Sequence, residues 1–232
     1  RRELGLPPRP PRITECYGMM GEIAPDLADW FGVDTVGLLP RCGMFGFPNN
    51  NWKIWQTPDG DMVSVPGKFN TTVHGDGSVY QYPQGDTSYP PCVRMPSHGF
   101  YFDHIDRQMP IDDARLDPCD NGNDYSILSD DDLEFMKNGA EFLYESTDKA
   151  VIMPVAGTAF GDIALVPGPW LKEPRGIRNM EEWYISLCCR RDYIYEAFSL
   201  QCDIALRNLE LAYQAVGEKV QVILVSGTDF GG

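Results

Sequence analysis

The segment Val220-Gln221-Val222-Ile223-Leu224-Val225 is followed at once by Ser226-Gly227-Thr228-Asp229-Phe230-Gly231. A short, mostly apolar run that ends in glycine-rich turn residues predicts a buried β-strand over Val220–Val225. Before it, Asp192–Val216 carries apolar residues at spacings near those of a helical face, and Gly217 is a suitable helix cap. A carboxylate just after a strand is where α/β proteins place functional groups. Asp229 is therefore the first candidate for chemistry.

Two earlier segments repeat the order of a helix followed by a strand. Pro25–Phe31 precedes the apolar run Val33–Leu39, and Asp130–Glu145 precedes Ala150–Val155. The last of these strands leads into the small-residue loop 156–161. Such alternation predicts a parallel sheet, either open and doubly wound or closed into a (β/α)8 barrel. The chain carries neither GxGxxG nor GxxxxGK[ST] at these junctions, which disfavours a nucleotide-binding fold.

Residues 43–88 have a different pattern, typical of antiparallel hairpins. Trp52–Gln56 and Met62–Val65 flank an Asp-Gly turn, and Phe69–His74 and Ser78–Tyr82 flank another. Asp-Gly between β-forming residues is a strong hairpin signal. We expect an antiparallel insert outside the parallel sheet. Its aromatic residues either pack the hairpins or form part of a pocket lid; they are Trp52, Trp55, Tyr80 and Tyr82.

The composition is that of a globular protein with an acidic surface. The chain has 232 residues, 43% of them hydrophobic and 23% charged, and a formal net charge of −15. Such a charge disfavours nucleic acid as a partner. Seven scattered cysteines without a CxxC pair indicate free thiols and a cytoplasmic location. No apolar run is long enough to cross a membrane, and we expect one domain over 1–232 that is a segment of a longer protein.

Two further features have competing interpretations. His104 follows Asp103 and could form an acid/base pair, although a hydrogen-bonded structural histidine is the more common case. Residues 120–124 resemble a calcium loop, but EF-hand spacing would place Cys119 and Leu128 at ligand positions. Ser129 before three aspartates instead predicts a helix N-cap.

Several segments in the same order resemble the uroporphyrinogen decarboxylase superfamily, in its cobamide-dependent methyltransferase branch. Ala150–Gly168 is similar to the family's strand, small-residue turn and helix start, and 180–216 to the helix pair before the next strand. Ser226–Gly231 is similar to the end of that strand, and Asp26–Leu39 to a helix, Gly-Val-Asp and strand unit. The fold that this resemblance implies is a (β/α)8 TIM-type barrel, incomplete in this segment.

The resemblance also implies a site at the carboxyl ends of the strands. Asp229 would face the substrate as a proton acceptor or orienting group, or, alternatively, cap the next helix. The substrate-binding residues that the resemblance implies are Gly157, Phe160, Gly227, Thr228 and Phe230. No metal ligand is expected within the chain.

The function that the resemblance implies is methyl transfer between a corrinoid, free or on a corrinoid protein, and a small acceptor or methylated substrate. Zinc, with His and Cys ligands beyond Gly232, would activate the acceptor in the full-length protein. A uroporphyrinogen decarboxylase is disfavoured, because no carboxylate follows Leu38-Leu39 to accept the pyrrole N–H groups. Each unpaired buried donor costs about 1–3 kcal/mol. The alternatives are a uroporphyrinogen decarboxylase-type carboxy-lyase of the same fold or a non-catalytic ligand-binding barrel.

Overall fold

The computed structural model describes residues 1–159 and 161–226. The strands are β1 (Ile13–Glu15), β2 (Met20–Gly21), β3 (Thr35–Gly37), β4 (Lys53–Gln56), β5 (Met62–Val65), β6 (Thr71–Val73), β7 (Val79–Gln81), β8 (Val93–Met95), β9 (Asp103–His104), β10 (Ala150–Pro154) and β11 (Val222–Leu224). The α-helices are α1 (Pro25–Trp30), α2 (Cys119–Gly122), α3 (Asp130–Ser146), α4 (Met180–Cys189) and α5 (Arg191–Val216).

Contacts divide the chain into two compact units. The first comprises Arg1–Val33, Arg41–Ile105 and Pro169–Lys172. The second comprises Asp34–Pro40, Asp106–Gly168 and Glu173 onward. Each unit has a hydrophobic core of its own. The prediction of one domain over 1–232 stays a prediction.

The first unit is built from short antiparallel strands. β4 pairs with β5, β6 to β9 form a four-stranded meander, and β1 pairs with β2. Both predicted hairpins are confirmed, and their turns depend on glycine, because Gly60 and Gly77 have φ values of 93° and 80°. The antiparallel region continues past the predicted limit of residue 88 to His104.

Aromatic and β-branched side chains fill the core of this unit. Phe45, Phe47, Phe69 and Phe102 are fully buried there. Trp55 packs edge-to-face on Phe69, with ring centroids 5.3 Å apart. The Tyr82 hydroxyl shares a hydrogen bond with Thr72 Oγ1 at 2.7 Å. These contacts support the interpretation that hairpin aromatics pack the unit.

The second unit contains a three-stranded parallel sheet in the order β11-β10-β3. Ala150 lies opposite Thr35, and Ile152 lies opposite Val222. The chain between β3 and β10 contains β4 to β9, α2 and then α3, whereas α4 and α5 connect β10 to β11. The predicted parallel pairing of these three segments is confirmed.

Two helices of the second unit, α3 and α4, begin at side-chain caps. At α3, Ser129 Oγ accepts a hydrogen bond from Asp132 N, and the Asp132 carboxylate accepts one from Ser129 N. Asn179 Oδ1 accepts from Glu182 N at 3.0 Å at the start of α4. Such caps satisfy backbone N–H groups that the first helical turn leaves unpaired. The prediction of Ser129 as an N-cap is confirmed.

The prediction of a (β/α)8 barrel is wrong. A barrel of this type needs eight parallel strands. The described residues contain small separate sheets of two to four strands, of which a single three-stranded sheet is parallel. The long segment between β3 and β10 carries turn signals at short intervals, so its strands pair antiparallel around their own core.

The predicted burial of Val220–Val225 is also wrong. β11 is an edge strand of the sheet, and the exposed fractions of Val222, Ile223 and Leu224 are 42%, 39% and 55%. The strand itself is shorter than the apolar run, since it spans Val222–Leu224. The apolar run therefore predicted the presence of the strand correctly but not the burial of its side chains.

Candidate functional site

The parallel pairing of β10 and β11 brings the segments that follow them to one edge of the sheet. Pro154 lies opposite Leu224, and the loop 155–168 begins directly after β10. On this edge, Ser226 Oγ donates a hydrogen bond to Asp162 Oδ2 at 2.8 Å. Open parallel sheets bind their ligands at the carboxyl ends of their strands. This edge is therefore the candidate site.

Of the six predicted site residues, Gly157 lies in the described residues. Its φ of 91° favours glycine, and a Cβ added there would lie 3.4 Å from Ala205 Cα of α5. A sharp turn packed on a helix accounts for glycine at this position, and its substrate-binding role stays a prediction. The other predicted residues lie outside the described part of the chain; they are Phe160, Gly227, Thr228, Asp229 and Phe230.

Asn208 of α5 holds the start of the loop in place. It is fully buried, and its Nδ2 donates to the carbonyl oxygens of Ala156 and Ser126, each at 3.0 Å. Its Oδ1 accepts from Leu128 N at 2.9 Å. A buried amide with partners at both ends fixes the backbone that it contacts, because breaking any of these bonds leaves a buried polar group unpaired.

Asn121 of α2 links three segments beneath the edge. Its side chain is buried, and its Nδ2 donates to Ile177 O at 3.0 Å. Its Oδ1 accepts from Ile177 N at 2.9 Å and from the Tyr193 hydroxyl at 2.6 Å. Its backbone carbonyl accepts from Gln201 Nε2 at 2.8 Å. Asn121 thereby joins α2, the segment before α4 and α5.

A buried ion pair lies beside Asn121. The guanidinium of Arg178 donates to both carboxylate oxygens of Asp124, at 2.7 and 2.8 Å, and to Asp120 O at 2.6 Å. Burial raises the pKa of the Asp124 carboxyl, and the charge and hydrogen bonds of Arg178 act in the opposite direction. Residues 120–124, whose spacing does not fit a calcium loop, overlap the short helix α2 and supply the carboxylate that binds Arg178.

A small cavity opens among these groups. Its volume is about 20 Å³, enough for about one water molecule. Burial raises the pKa of the Tyr125 hydroxyl, so this phenol stays neutral near neutral pH. The polar and aromatic residues that line the cavity are Asn121, Asp124, Tyr125, Asp162, Trp183 and Gln201.

We also searched the described residues for metal-binding groups, disulfides, acid/base pairs and membrane-spanning helices. Within 1–159 and 161–226, no three His, Cys, Asp or Glu side chains are grouped so that they could hold a metal ion. All seven cysteines are free, as expected. His104 stacks on Tyr17, with ring centroids 4.8 Å apart, in the first unit. No helix in the part of the chain that the structure describes has the length and apolar composition needed to span a bilayer.

Sequence reasoning missed the polar residues under the edge. The predicted apolar stripe on α5 comprises Phe198, Cys202, Ala205, Leu209, Ala212 and Val216. Ala205, Ala212 and Val216 are buried as predicted, but the buried face also includes the amides Gln201 and Asn208. The spacing of Gln201 and Asn208, seven residues apart, was a signal that two amides share one helical face.

No family model, curated protein or solved structure matches this chain. The resemblance to the uroporphyrinogen decarboxylase superfamily stays a prediction.

Proposed function

We propose that this chain is part of an enzyme that transfers a methyl group between a corrinoid and a small acceptor or methylated substrate. The chemistry takes place at the carboxyl edge of the β11-β10-β3 sheet, and Asp229 takes or orients a proton of the substrate there. The proposal concerns this edge and this reaction, and it does not include a barrel.

The observation that carries the proposal is the parallel alignment of β10 with β11. This register brings the loop 155–168 beside Ser226, which directly precedes the predicted residues 227–230 in the sequence. The order of the units, with α1 before β3, α3 before β10 and α5 before β11, is the order on which the family resemblance rests.

The described residues supply the support for the site. Asp162 accepts hydrogen bonds from Ala164 N at 3.0 Å and from Ser226 Oγ at 2.8 Å, which ties the two loops together. Asn208 holds the loop from below through Ala156 O. Rigid support of this kind is what a catalytic group needs to stay within reach of its substrate.

Zinc and a corrinoid are the cofactors that this reaction requires. The corrinoid supplies or takes the methyl group, and the zinc ion makes a thiolate available. The described residues do not fit a zinc site, since no group of three potential ligands is present among them. We therefore assign neither cofactor to residues of the described chain.

A second candidate function is ligand binding without catalysis. It is favoured by one observation: the carboxylates around the cavity already have protein partners, Asp124 in Arg178 and Asp162 in Ser226. Carboxylates bound in this way stabilise the unit and need no chemical role. If the protein only binds a ligand, it does not accelerate methyl transfer. Replacing Asp229 would then leave the rate of methyl transfer unchanged.

An assay of methyl transfer with the full-length protein distinguishes the two functions. Methylcobalamin and a panel of small thiols are the probes, with the cobalamin absorbance and the mass of the methylated thiol as readouts. In the balanced reaction the carbon–cobalt bond breaks, its electron pair stays on cobalt, and a carbon–sulfur bond forms as the thiol loses its proton. Catalysed formation of the thioether supports methyl transfer, and a rate equal to that without protein contradicts it.

A further inference from the structure

Two buried side chains at the cavity each have a polar atom without a partner among the described residues. Trp183 and Gln201 have exposed fractions of 2% and 5%, and both line the cavity. The atoms concerned are Trp183 Nε1 and Gln201 Oε1. Nearly all buried polar groups in folded proteins form a hydrogen bond to protein or to a bound molecule, so two such atoms at one cavity call for an explanation.

The orientation of the Gln201 amide is fixed by its other end. Gln201 Nε2 donates to Asn121 O at 2.8 Å. A flipped amide would place two acceptor oxygens against each other, so the hydrogen-bond network requires Oε1 at the unpartnered position. The two residues that line the cavity therefore leave one donor, the indole N–H, and one acceptor, the amide oxygen, without a partner among the described residues.

This pair of groups selects a particular class of ligand atom. An oxygen that accepts from Trp183 Nε1–H and donates to Gln201 Oε1 must carry both a lone pair and a hydrogen, as a hydroxyl does. A carboxylate has no hydrogen to donate, and Asp124 and Asp162 at the same cavity would repel it. An ammonium group has no lone pair to accept the indole hydrogen.

We propose that the cavity binds one hydroxyl oxygen, held between Trp183 Nε1 and Gln201 Oε1. The oxygen comes from a water molecule or from the hydroxyl group of a small alcohol, and a volume of about 20 Å³ accommodates little more than that group. This proposal is independent of the proposed methyl transfer. It rests on contacts of Trp183 and Gln201, which have no role in that reaction.

The test is nuclear magnetic resonance of the chain labelled with nitrogen-15. The chain has five tryptophans, and the indole signal lost in Trp183→Phe identifies Trp183. Without additives, we expect a cross-peak between the Trp183 indole proton and a long-lived water. Ethanol is the alcohol probe: a saturable indole shift with loss of the water cross-peak assigns the oxygen to the alcohol, whereas a retained cross-peak assigns it to water.

Three results would overturn the proposal. The first is the absence of both a water cross-peak and a saturable ethanol shift. The second is a saturable shift of equal size with acetate or methylammonium, because neither ion matches both groups. The third is a cross-peak that survives in Gln201→Met, which removes the acceptor.

A matched control separates the cavity from the surrounding network. Tyr193→Phe removes a hydrogen bond to the same Asn121 without changing a residue that lines the cavity, so its cross-peak should be unchanged. If Gln201→Met does not fold, a high-resolution crystal structure of the unaltered chain decides. It should contain an oxygen within about 3.2 Å of both atoms, and a map with no such oxygen would refute the proposal.

Discussion

Replacing Asn121 with alanine should destabilise the second unit strongly. The substitution leaves three buried groups without their partner: Ile177 N–H, Ile177 C=O and the Tyr193 hydroxyl. Each unpaired buried group costs about 1–3 kcal/mol. The expected loss is therefore at least about 3 kcal/mol, a large part of the roughly 5–15 kcal/mol that stabilises a typical domain.

Urea denaturation followed by circular dichroism measures this loss, since the three long helices α3, α4 and α5 all belong to the second unit. With a typical dependence of about 1–3 kcal/mol per molar urea, the midpoint should fall by about 1 M or more. The matched control is Asn123→Ala, which alters an exposed residue of the same segment. Surface changes stay within about 0.5 kcal/mol.

Tyr193→Phe provides an intermediate case. It removes one donor and leaves Asn121 Oδ1 with its bond from Ile177 N, so we expect a loss of about 1 kcal/mol. If Asn121→Ala unfolds at the same urea concentration as Asn123→Ala, the idea that Asn121 joins the three segments is wrong.

Three further predictions concern the first unit and the thiols. Burial raises the pKa of the Cys16 thiol to about 12. Near neutral pH, iodoacetamide should therefore modify the exposed Cys188 and leave Cys16 unmodified, which peptide mass spectrometry measures. Equal labelling of the two cysteines would contradict this prediction. The hydrogen bond from Lys172 lowers the pKa of the Asp86 carboxyl from 3.8 to about 2. The stability that this ion pair contributes is therefore present above about pH 4 and is lost as the pH falls towards 2. If a nuclear magnetic resonance titration of Lys172→Met gave the same pKa for Asp86, Lys172 would not be the cause of the low pKa. Gly85→Ala should lower the free energy of unfolding by more than about 1 kcal/mol, because Gly85 has a φ of 69° and an added Cβ would collide with a backbone carbonyl oxygen. If the variant had the same thermal unfolding midpoint as the unaltered chain, this prediction would be wrong.

The local elements could be predicted from the sequence because their signals are local. Ser129 before three aspartates predicted the start of α3, and Asp-Gly turns predicted the hairpins. The helical spacing over 192–216 predicted α5, which spans Arg191–Val216. Each of these signals depends on a few neighbouring residues, whose preferences are the same in many folds.

The number of strands in a sheet is not a local property. Three helix–strand pairs are compatible with an open sheet or with part of a barrel, and the choice depends on which strands the segment between β3 and β10 pairs with. Those strands pair with one another. A family resemblance favoured the barrel, and the antiparallel pairing of the segment made that prediction wrong.

The polar network was invisible for a related reason. Asn121 and Arg178 are 57 positions apart, and both are polar residues that a sequence places on the surface by default. Their burial follows from contacts that the fold creates, such as the one between Arg178 and Asp124. Buried amides on an otherwise apolar helical face, as at Gln201 and Asn208, are the one sequence sign of such a network.

We propose that chemistry takes place where β10 and β11 end side by side, so the rate of methyl transfer should fall when Asp229 is replaced by asparagine. Asp203→Asn is the matched control, since it makes the same charge change at an exposed position of α5. A positioned acid or base contributes about 100-fold to 10,000-fold to a rate. We expect the rate to fall by at least about 100-fold in Asp229→Asn and to stay unchanged in the control. Equal rates in the two variants would show that Asp229 takes no part in the reaction.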